Sequence, residues 1–402
     1  MAKLQKILSP TVDKIYSKRE ETQSKQYIDR IPTKMVGDKC IRAIWYDFRF
    51  CEDLGLDGVN LRNRELDKTR KATIIRELSS VGCVVSEIDK RNGKQWSVSE
   101  FAGHLFGELD GIIESGIEEA PGKAHVLKIE SVYSKTFAQV KTAGIEKALP
   151  FTFAAVQSEM YLMDIDRSFV VINCNDSSEL YAERVKLDKE QAKFFIDRIG
   201  GVITSETPPV GISDKKNSQS CLYCPMSKVC HDGYMVKPTC RNCCHSTCDR
   251  DKGGWFCTKW NSQIPFEAQT QGCGSHLYNP AFIQWGEVVD ANDQEQWVRY
   301  SDGERELTNA VDKKHGYTSD HLYSCPPELI DDANIFEIMA RFDAEIIKDD
   351  SDNEAFYLLH HESESAFIAK SESECENYLQ EPCVELVDKD VYNRFAKEWG
   401  IQ

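Results

Sequence analysis

The 402-residue sequence has no apolar run that approaches the length of a membrane span. Its polar first residues, MAKLQKILSPTVDK, do not resemble a secretory signal peptide. It also shows no internal repeat, which argues against a solenoid or propeller. We therefore expect a cytoplasmic protein without membrane partners, long enough for two or three domains with separate cores.

Positive charge is scarce in the last quarter of the chain. From Ser301 to Gln402, 9 Lys and Arg stand against 25 Asp and Glu, so this quarter carries −16 of the net charge of −17. The first 300 residues are almost neutral, and a neutral body leaves nucleic acid among its possible partners. The acidic quarter predicts either a solubilising surface or a surface that docks another protein.

The chain divides into five predicted regions. Residues 1–36 form a lead-in, residues 37–203 an α/β core, residues 204–220 a linker rich in Pro, Ser and Gly, residues 221–284 a Cys-rich segment, and residues 285–402 a small acidic α+β region. In the core, helices alternate with strands, which favours a mixed central sheet flanked by helices. Predicted helices are 40–51, 63–80, 151–164 and 188–199, and predicted strands are 81–89, 108–114, 124–131 and 168–174.

Nine of the 16 cysteines lie between residues 221 and 276. A cytoplasmic chain is not expected to form disulfides, so this spacing is interpreted first as metal chemistry. The segment has little apolar periodicity of its own, as expected where metal ions stabilise a fold with a small core.

The first cysteine set is Cys221, Cys224 and Cys230, with Cys40 as the remote candidate for a fourth ligand. A two-residue gap lets two thiolates reach one metal ion. One remote Cys followed by C-x2-C-x5-C resembles the iron–sulfur staple of RecB-like nucleases, and this resemblance implies a 4Fe–4S cluster. The alternatives are a zinc site, or three thiols together with His231.

The second set is Cys240, Cys243, Cys257 and Cys273. A C-x2-C pair with two later single cysteines fits a closed tetrahedral zinc site on a small ribbon-like loop, and such sites are mostly structural. Four further donors are close in sequence and leave the identity of the ligands open: Cys244, His245, Cys248 and His276.

Charged residues stand inside an apolar strand, HVLKIES, at residues 125–131. Lys128 and Glu130 are two residues apart, so a strand directs both to one face. Asp110 stands in the preceding strand segment, GHLFGELDGII. Three further segments, CIRAIWYDFR, QSEMY and ELYAERV, and both cysteine sets accompany these strands. Together they resemble the phage-type branch of the PD-(D/E)XK nuclease superfamily, which is related to RecB and the CRISPR-adaptation exonucleases. The resemblance covers roughly residues 27–345.

This resemblance implies a nuclease core in which Mg²⁺ or Mn²⁺ activates water and neutralises charge on the phosphate. In the family, a helix acid, a strand Asp and a Glu on the next strand hold the metal, and a Lys two residues after that Glu assists. The family's Gln-x-x-x-Tyr element is present as Gln157 and Tyr161, which implies a place beside the catalytic strands. Cys174 stands where relatives often carry a lysine.

The catalytic pattern itself departs from the family. Lys128 and Glu130 occur in reversed order, and Lys71 stands where the family has its helix acid, with Asp67 one turn earlier on the same face. With Asp110, the set contains two acids and two lysines and sums to zero charge. A dication would meet two ammonium groups at contact distance, which is unfavourable, whereas the four groups can pair with each other. In the alternative, Asp67, Asp110 and Glu130 gather round a metal and Lys128 acts from the earlier position.

Three functions follow from this pattern. In the first, the chain binds DNA, or a nucleic-acid-processing or defence protein of the host, without cutting DNA. In the second, it is an active Mg-dependent DNA exonuclease. In the third, it is a structural subunit. The acidic region would serve as a protein-docking or DNA-mimicking surface. Six basic side chains of the core are available for contact with the DNA backbone: Arg42, Arg49, Arg62, Arg64, Lys135 and Lys141.

Overall fold

The computed structural model describes residues 10–22, 29–52, 55–304 and 306–324, and three strands beyond them. The chain divides into two units, Met1–Asp343 and Ala344–Gln402. Most of the predicted acidic region from residue 325 onward, including its expected docking surface, therefore lies outside the described residues. None of the described helices is both long and apolar enough to cross a membrane.

The first part of the chain builds the α/β core. Its helices are α1 (Pro10–Thr22), α2 (Ile41–Phe48), α3 (Gly58–Ser80), α4 (Ser134–Ala148), α5 (Pro150–Met163) and α6 (Lys189–Thr204). Its strands are β1 (Ile31–Pro32), β2 (Val84–Ser86), β3 (Ile88–Asp89), β4 (Lys94–Gln95), β5 (Ser97–Glu100), β6 (Leu105–Glu108), β7 (Gly111–Ser115), β8 (His125–Val132), β9 (Arg167–Cys174) and β10 (Leu180–Lys186).

A five-stranded sheet with the order β10-β9-β8-β7-β2 forms the centre of this core. Strands β8 and β9 run parallel, whereas the other neighbouring pairs are antiparallel. A parallel pair needs a long crossover connection, and here α4 and α5 supply it. The predicted mixed sheet flanked by helices is therefore confirmed as an α/β architecture.

The two faces of β8 bury different clusters. Val126 packs with residues of α4 and α5, whereas Leu127, on the opposite face, packs against α3. Both side chains are fully buried. Because successive side chains of a strand alternate, Lys128 and Glu130 share the Val126 face, at the end of the strand where the apolar packing stops.

Aspartate side chains cap the start of two core helices, and one of these caps explains a start earlier than predicted. Helix α3 begins at Gly58, five residues earlier than expected, because the Asp57 carboxylate accepts a hydrogen bond from the Asn60 amide. Helix α6 begins after Asp188, which caps it in the same way. Helix α4 was not predicted; its Gly144 has φ +77° and interrupts the helical periodicity.

The Cys-rich segment begins within residues 205–226, among which the structure places no helix or strand. It contains α7 (Ser227–Asp232), then a three-stranded antiparallel sheet and a short helix. These elements are β11 (Ser246–Cys248), β12 (Trp255–Cys257), β13 (Ser262–Ile264) and α8 (Phe266–Gln269).

A buried arginine joins this segment to the core. Arg241 is fully buried and donates hydrogen bonds to the carbonyl oxygens of Phe48 (3.0 Å) and Asp29 (2.9 Å) and to Gln269 Oε1 (2.9 Å). Its guanidinium carbon also lies 3.9 Å from the centre of the Phe50 ring. A buried guanidinium is tolerated only where its donors are satisfied, so these contacts fix the segment against α2.

The expectation that Arg49 contacts DNA was wrong, because this side chain is 6% exposed. It donates to the carbonyl oxygens of Ser205 (3.1 Å) and Arg241 (3.4 Å), and its guanidinium packs on the ring of Trp45. Arg49 is thus part of the same internal contact between the core and the Cys-rich segment.

The remaining described elements are small antiparallel sheets. In the first unit these are β14 (Glu287–Asn292), β15 (Trp297–Ser301) and β16 (Glu306–Ala310), followed by α9 (Ser319–Ser324). The second unit contains β17 (Phe356–His360), β18 (Ser365–Ala369) and β19 (Val384–Val387), in the order β18-β17-β19.

Candidate functional site

Asp110 lies at the entrance to β7 and is held from two sides. Its Oδ1 is 2.9 Å from Lys71 Nζ of α3, and its Oδ2 accepts a hydrogen bond of 2.7 Å from the Ile129 amide of β8. The aspartate faces Lys71 because β7 and β8 are adjacent and α3 packs across them. Of the ion pairs expected among the four charged groups, the one between Lys71 and Asp110 is present.

Lys128 does not pair with Glu130 but with Glu159 of α5, which the sequence reasoning missed. Its Nζ lies 2.9 Å from Glu159 Oε1, and the Thr33 hydroxyl donates to the same oxygen at 2.8 Å. Glu159 is fully buried. Burial lowers the pKa of Lys128, but the carboxylates of Glu159, Glu130 and Asp110 outweigh it, so the pKa is raised overall.

Glu130 remains without a hydrogen bond or ion pair within the part of the chain that the structure describes. Burial raises its pKa, the ammonium groups of Lys128 and Lys71 oppose this rise, and Asp110 and Asp67 add to it. The net direction is upward. Among the described residues, the two lysines of the predicted set pair with Asp110 and Glu159, and neither lies within ion-pair distance of Glu130.

Asp67 adds a further acid at the edge of this cluster. Its Oδ1 accepts a hydrogen bond of 2.6 Å from the hydroxyl of Ser131, on the α3 face of β8. The four groups of the prediction sum to zero charge, but with Asp67 and Glu159 included, four carboxylates stand against two ammonium groups, a formal charge of −2. We call these six groups the charge cluster; its members are Asp67, Lys71, Asp110, Lys128, Glu130 and Glu159.

Gln157 and Tyr161 lie on α5 but face different surroundings. The Gln157 amide donates to the Lys186 carbonyl (2.9 Å) and accepts from the Asp188 amide (2.8 Å), so it connects α5 to the start of α6. Gln157 is buried, whereas Tyr161 is 38% exposed. The structure thus gives Gln157 a positioning role and leaves the tyrosine at the surface.

Cys174 fills the position where relatives often carry a lysine. It is buried at the end of β9, with its sulfur 3.7 Å from the Ser134 hydroxyl. Hydrogen bonds from Ser177, together with the Ser134 contact, lower the pKa of the thiol. With a thiol at this position, the charge cluster has no third lysine.

The four cysteines of the first set are electrostatic neighbours. Burial raises the pKa of Cys224, and the negative charges of Cys40, Cys221 and Cys230 raise it further. The Arg42 guanidinium donates to Cys230 Sγ at 3.5 Å. Four thiols beside one guanidinium form a donor set that suits an anionic thiolate cluster.

The second set lines one cavity of about 240 Å³, to which Cys240, Cys243, Cys257 and Cys273 all contribute. Burial raises the pKa of Cys240 to about 12, and the other three thiols add to this effect. His245 lines the same cavity, and its Nε2 is buried without a hydrogen-bond partner in the described structure. The donor set therefore suits a small soft ion such as zinc.

Three of the four further donors near the second set make hydrogen bonds or close contacts of their own. Both ring nitrogens of His276 make hydrogen bonds, with Ser319 Oγ (2.8 Å) and Asn242 Oδ1 (2.9 Å). Cys248 lies 3.1 Å from His104 Nε2, and the thiol of Cys244 bonds to its neighbour Cys243. Across the described ranges, no three His, Cys, Asp or Glu side chains converge tightly enough to hold an ion.

An open cleft of about 420 Å³ adjoins the charge cluster at Asp67. It lies between α3 and the carboxyl ends of the parallel strands β8 and β9. Its polar lining is Asn60, Asn63, Arg64, Asp67, Arg70, Ser131, Tyr133 and Asn175, which we call the α3 cleft. The sequence reasoning did not single out Arg70 or Tyr133.

No protein-family model and no curated protein matches this chain. The solved structure of SSO0001 is similar to it at 15% identity and a TM-score of 0.33, over 55% of this chain and 96% of that one. The alkaline exonuclease LHK-Exo from Laribacter hongkongensis is similar at 14% identity and a TM-score of 0.32, over 48% and 90%. Its complex with dAMP gives 13% identity and a TM-score of 0.31. This degree of likeness does not establish a family for the chain.

Proposed function

We propose that this chain is a phage-type RecB-like nuclease homologue with impaired catalysis. It acts by binding DNA, or a nucleic-acid-processing or defence protein of the host, without cutting. The observation that carries the proposal is the 2.9 Å ion pair between Lys71 and Asp110. One oxygen of this carboxylate faces an ammonium group and the other an amide, so an incoming dication meets positive charge, at a cost of several kcal/mol by Coulomb's law.

The position of Lys128 supports the same proposal. A lysine that orients an attacking water must reach the reacting phosphate. Here the ammonium group is instead held by Glu159, in a pair whose two side chains are 10% and 0% exposed. The assisting lysine of the family pattern is thus engaged inside the protein.

An active Mg²⁺- or Mn²⁺-dependent DNA exonuclease is the second candidate, and one observation favours it. Glu130 has no direct partner in the described structure, and the charge cluster carries a formal charge of −2. One dication balances that charge. In this case Asp67, Asp110 and Glu130 hold the metal, once Lys71 has moved aside.

The two cysteine sets are proposed as structural metal sites. Cys40, Cys221, Cys224 and Cys230 would hold a 4Fe–4S cluster, with zinc as the alternative, and so tie the two ends of the core together. Cys240, Cys243, Cys257 and Cys273 would hold one zinc ion. The acidic C-terminal region is proposed as the surface for a protein partner.

Purified protein incubated with linear duplex DNA and Mg²⁺ or Mn²⁺ tests this proposal. We expect DNA to be retained in a mobility-shift assay and to stay intact. Asp110→Ala is the matched variant, because it removes the carboxylate at the centre of the cluster. Magnesium-dependent cleavage by the wild type that is lost in Asp110→Ala would establish the exonuclease instead.

A further inference from the structure

One face of α2 holds the linker that follows α6. Arg42, Trp45 and Arg49 are three and four positions apart, so their side chains share this face. The Trp45 indole Nε1 (2.9 Å) and the Arg49 guanidinium (3.1 Å) donate hydrogen bonds to the carbonyl oxygen of Ser205, at the start of the linker. Arg42 Nε donates to the Pro209 carbonyl at 2.8 Å. Side chains of α2 therefore hold the linker by its carbonyl groups.

Arg42 also contacts the first cysteine set. Its Nη1 donates a hydrogen bond to the sulfur of Cys230 at 3.5 Å. The set reaches the same helix a second time, because Cys40 is the N-cap residue of α2. One guanidinium thus donates to a proposed metal ligand on one side and to a linker carbonyl on the other.

The linker passes directly over this guanidinium at Gly211. A Cβ atom at this position would lie 3.0 Å from Arg42 Cζ and 3.1 Å from Arg42 Nε, closer than ordinary van der Waals contact. Further along the linker, Lys216 Nζ lies 2.5 Å from Asp232 Oδ2 of α7. Because both side chains of this pair are accessible to solvent, the pair stabilises the linker little, which leaves the Arg42 contacts as the stronger attachment.

Metal binding changes what Arg42 meets at Cys230. A thiol is a weak hydrogen-bond acceptor, whereas a metal-bound cysteine is a thiolate with a negative charge. Four thiolates carry more negative charge than a zinc ion or a 4Fe–4S core balances, so either occupant leaves an anionic centre beside the guanidinium. Hydrogen bonds to charged groups are about twice as strong as neutral ones. The occupied set therefore fixes the Arg42 side chain in the position from which it holds the Pro209 carbonyl.

We infer that Arg42 is a positioning residue that couples occupancy of the first cysteine set to attachment of the linker. This inference rests on the proposed metal site and extends it from a structural staple to a regulated contact. With the set occupied, the linker lies fixed on α2. With the set empty, Arg42 loses its charged partner and the linker opens to solvent. The metal supply thereby controls the connection between the core and the Cys-rich segment.

Limited proteolysis by trypsin tests this coupling, because the exposed Lys215 lies in the linker and the exposed Lys252 lies in a turn of the Cys-rich segment. The proteins compared are wild type, Arg42→Gln, Arg42→Lys, Cys224→Ser, Arg42→Gln with Cys224→Ser, and Lys39→Gln. Lys39→Gln is the matched control, because it removes a positive charge beside the set and its exposed side chain makes none of the contacts above. Iron and zinc are determined for each protein before digestion, and mass spectrometry follows cleavage after each of the two lysines.

We expect Arg42→Gln to keep its metal and to be cleaved after Lys215 about tenfold faster than wild type, as for the loss of a hydrogen bond to a charged group that restrains local opening. Arg42→Lys should also keep its metal and release the linker, because one ammonium group does not replace the planar fork that reaches both acceptors. Cys224→Ser should show a similar acceleration with the metal of this set lost. The double variant should be no faster than either single variant, which separates coupling from two independent losses of structure. Lys39→Gln should match the wild type, and cleavage after Lys252 should stay within about twofold throughout.

Four results would overturn the inference. Metal-loaded Arg42→Gln that resists trypsin as well as the wild type removes Arg42 from the attachment of the linker. A double variant cleaved much faster than both single variants shows independent effects, and equal acceleration after Lys252 shows a general loss of structure. Loss of metal from Arg42→Gln and Arg42→Lys alike makes Arg42 part of the assembly of the site. Wild type without iron or zinc overturns the proposed metal site and the coupling together, and leaves the DNA-binding function to its own test.

Discussion

Lys128 of β8 and Glu159 of α5 form an ion pair in the interior of the protein, with Nζ 2.9 Å from Oε1. The glutamate is fully buried, and its second oxygen has no hydrogen-bond partner in the described structure. Besides Lys128, only the Thr33 hydroxyl donates a hydrogen bond to this carboxylate among the described residues. Because two charges depend on so few contacts, the pair is sensitive to the loss of either partner.

Removing one partner of this pair should destabilise the protein strongly. We expect Lys128→Met or Glu159→Gln to lower the free energy of unfolding by about 3–5 kcal/mol, since each leaves a buried charge unpaired. The double change Lys128→Met with Glu159→Met should recover most of this loss. Urea unfolding measures all three variants. Lys193→Ala, which breaks an exposed pair with Asp197, should cost at most about 1 kcal/mol.

Restoring the family's catalytic pattern needs four changes. Lys71→Glu, Lys128→Glu and Glu130→Lys rebuild three acids and one lysine, but the glutamate at position 128 would then face the buried Glu159. We therefore expect the triple variant to be unstable and the addition of Glu159→Gln to rescue its folding. Calorimetric titration with Mg²⁺ and cleavage of linear DNA test the four-fold variant for regained metal binding and weak activity. A triple variant as stable as the wild type would contradict the observed pairing of Lys128.

Asp47 predicts a pH dependence of stability. Burial raises its pKa to about 6, although Lys34 and Arg241 oppose the rise. The pKa of Asp47 in the folded protein exceeds the ordinary value of 3.8. The protonated Asp47 carboxyl therefore contributes fully to the free energy of unfolding below pH 4, and this contribution is lost as the pH rises through 6. Asp47→Asn should thus raise the free energy of unfolding at pH 7.5 by up to about 3 kcal/mol, and by less at pH 5. Urea unfolding at both pH values measures this, and the exposed Asp214→Asn should change neither.

The first cysteine set predicts coloured protein. Protein purified without oxygen should be brown, with the broad visible absorption of a thiolate-bound cluster. If all four thiols bind the proposed 4Fe–4S cluster, each chain should contain four iron atoms. Cys224→Ser should lose the colour and the iron, whereas Cys83→Ser should retain both, because Cys83 belongs to neither cysteine set and its thiol contacts the Gly116 carbonyl. Colourless wild type that contains zinc and no iron would rule out the iron–sulfur cluster.

The second set predicts one structural zinc ion per chain. Cys243→Ser should reduce soluble yield and zinc content together, because the ion stabilises a segment with a small core. Zinc content by mass spectrometry, with a thermal melt, measures both effects. His245→Ala decides between the cavity donors: full zinc content in this variant leaves the four cysteines as the ligands. Stable, fully loaded Cys243→Ser protein would show that this thiol is not one of them.

The alternation of β8 made part of the site predictable from sequence. Two-residue spacing places Lys128 and Glu130 on one face, and helical spacing places Asp67 and Lys71 together on α3. The pair between Lys71 and Asp110 was expected instead from the family resemblance, which sets a helix residue beside the strand aspartate. The first two relationships depend on neighbours in sequence, for which local periodicity is a sufficient guide.

The partner of Lys128 was not predictable in this way. Glu159 stands in an apolar stretch of α5, and whether it faces the sheet depends on how α5 packs across β8. The burial of Arg49 and Arg241 escaped prediction for the same reason, because their acceptors are far away in sequence. One of the two further negative charges of the charge cluster, that of Glu159, comes from this tertiary contact.

The contact between Arg241 and the Phe48 carbonyl spans 193 positions in the chain, which has a consequence for synthesis on the ribosome. At typical elongation rates, on the order of 10–40 s pass between the emergence of these two residues. During this interval the aromatic side chains around α2 lack the cover that the Cys-rich segment later provides. The nascent chain therefore exposes an apolar surface until the Cys-rich segment has been translated, and a chain that stalls before that point would be a target for chaperones and proteases.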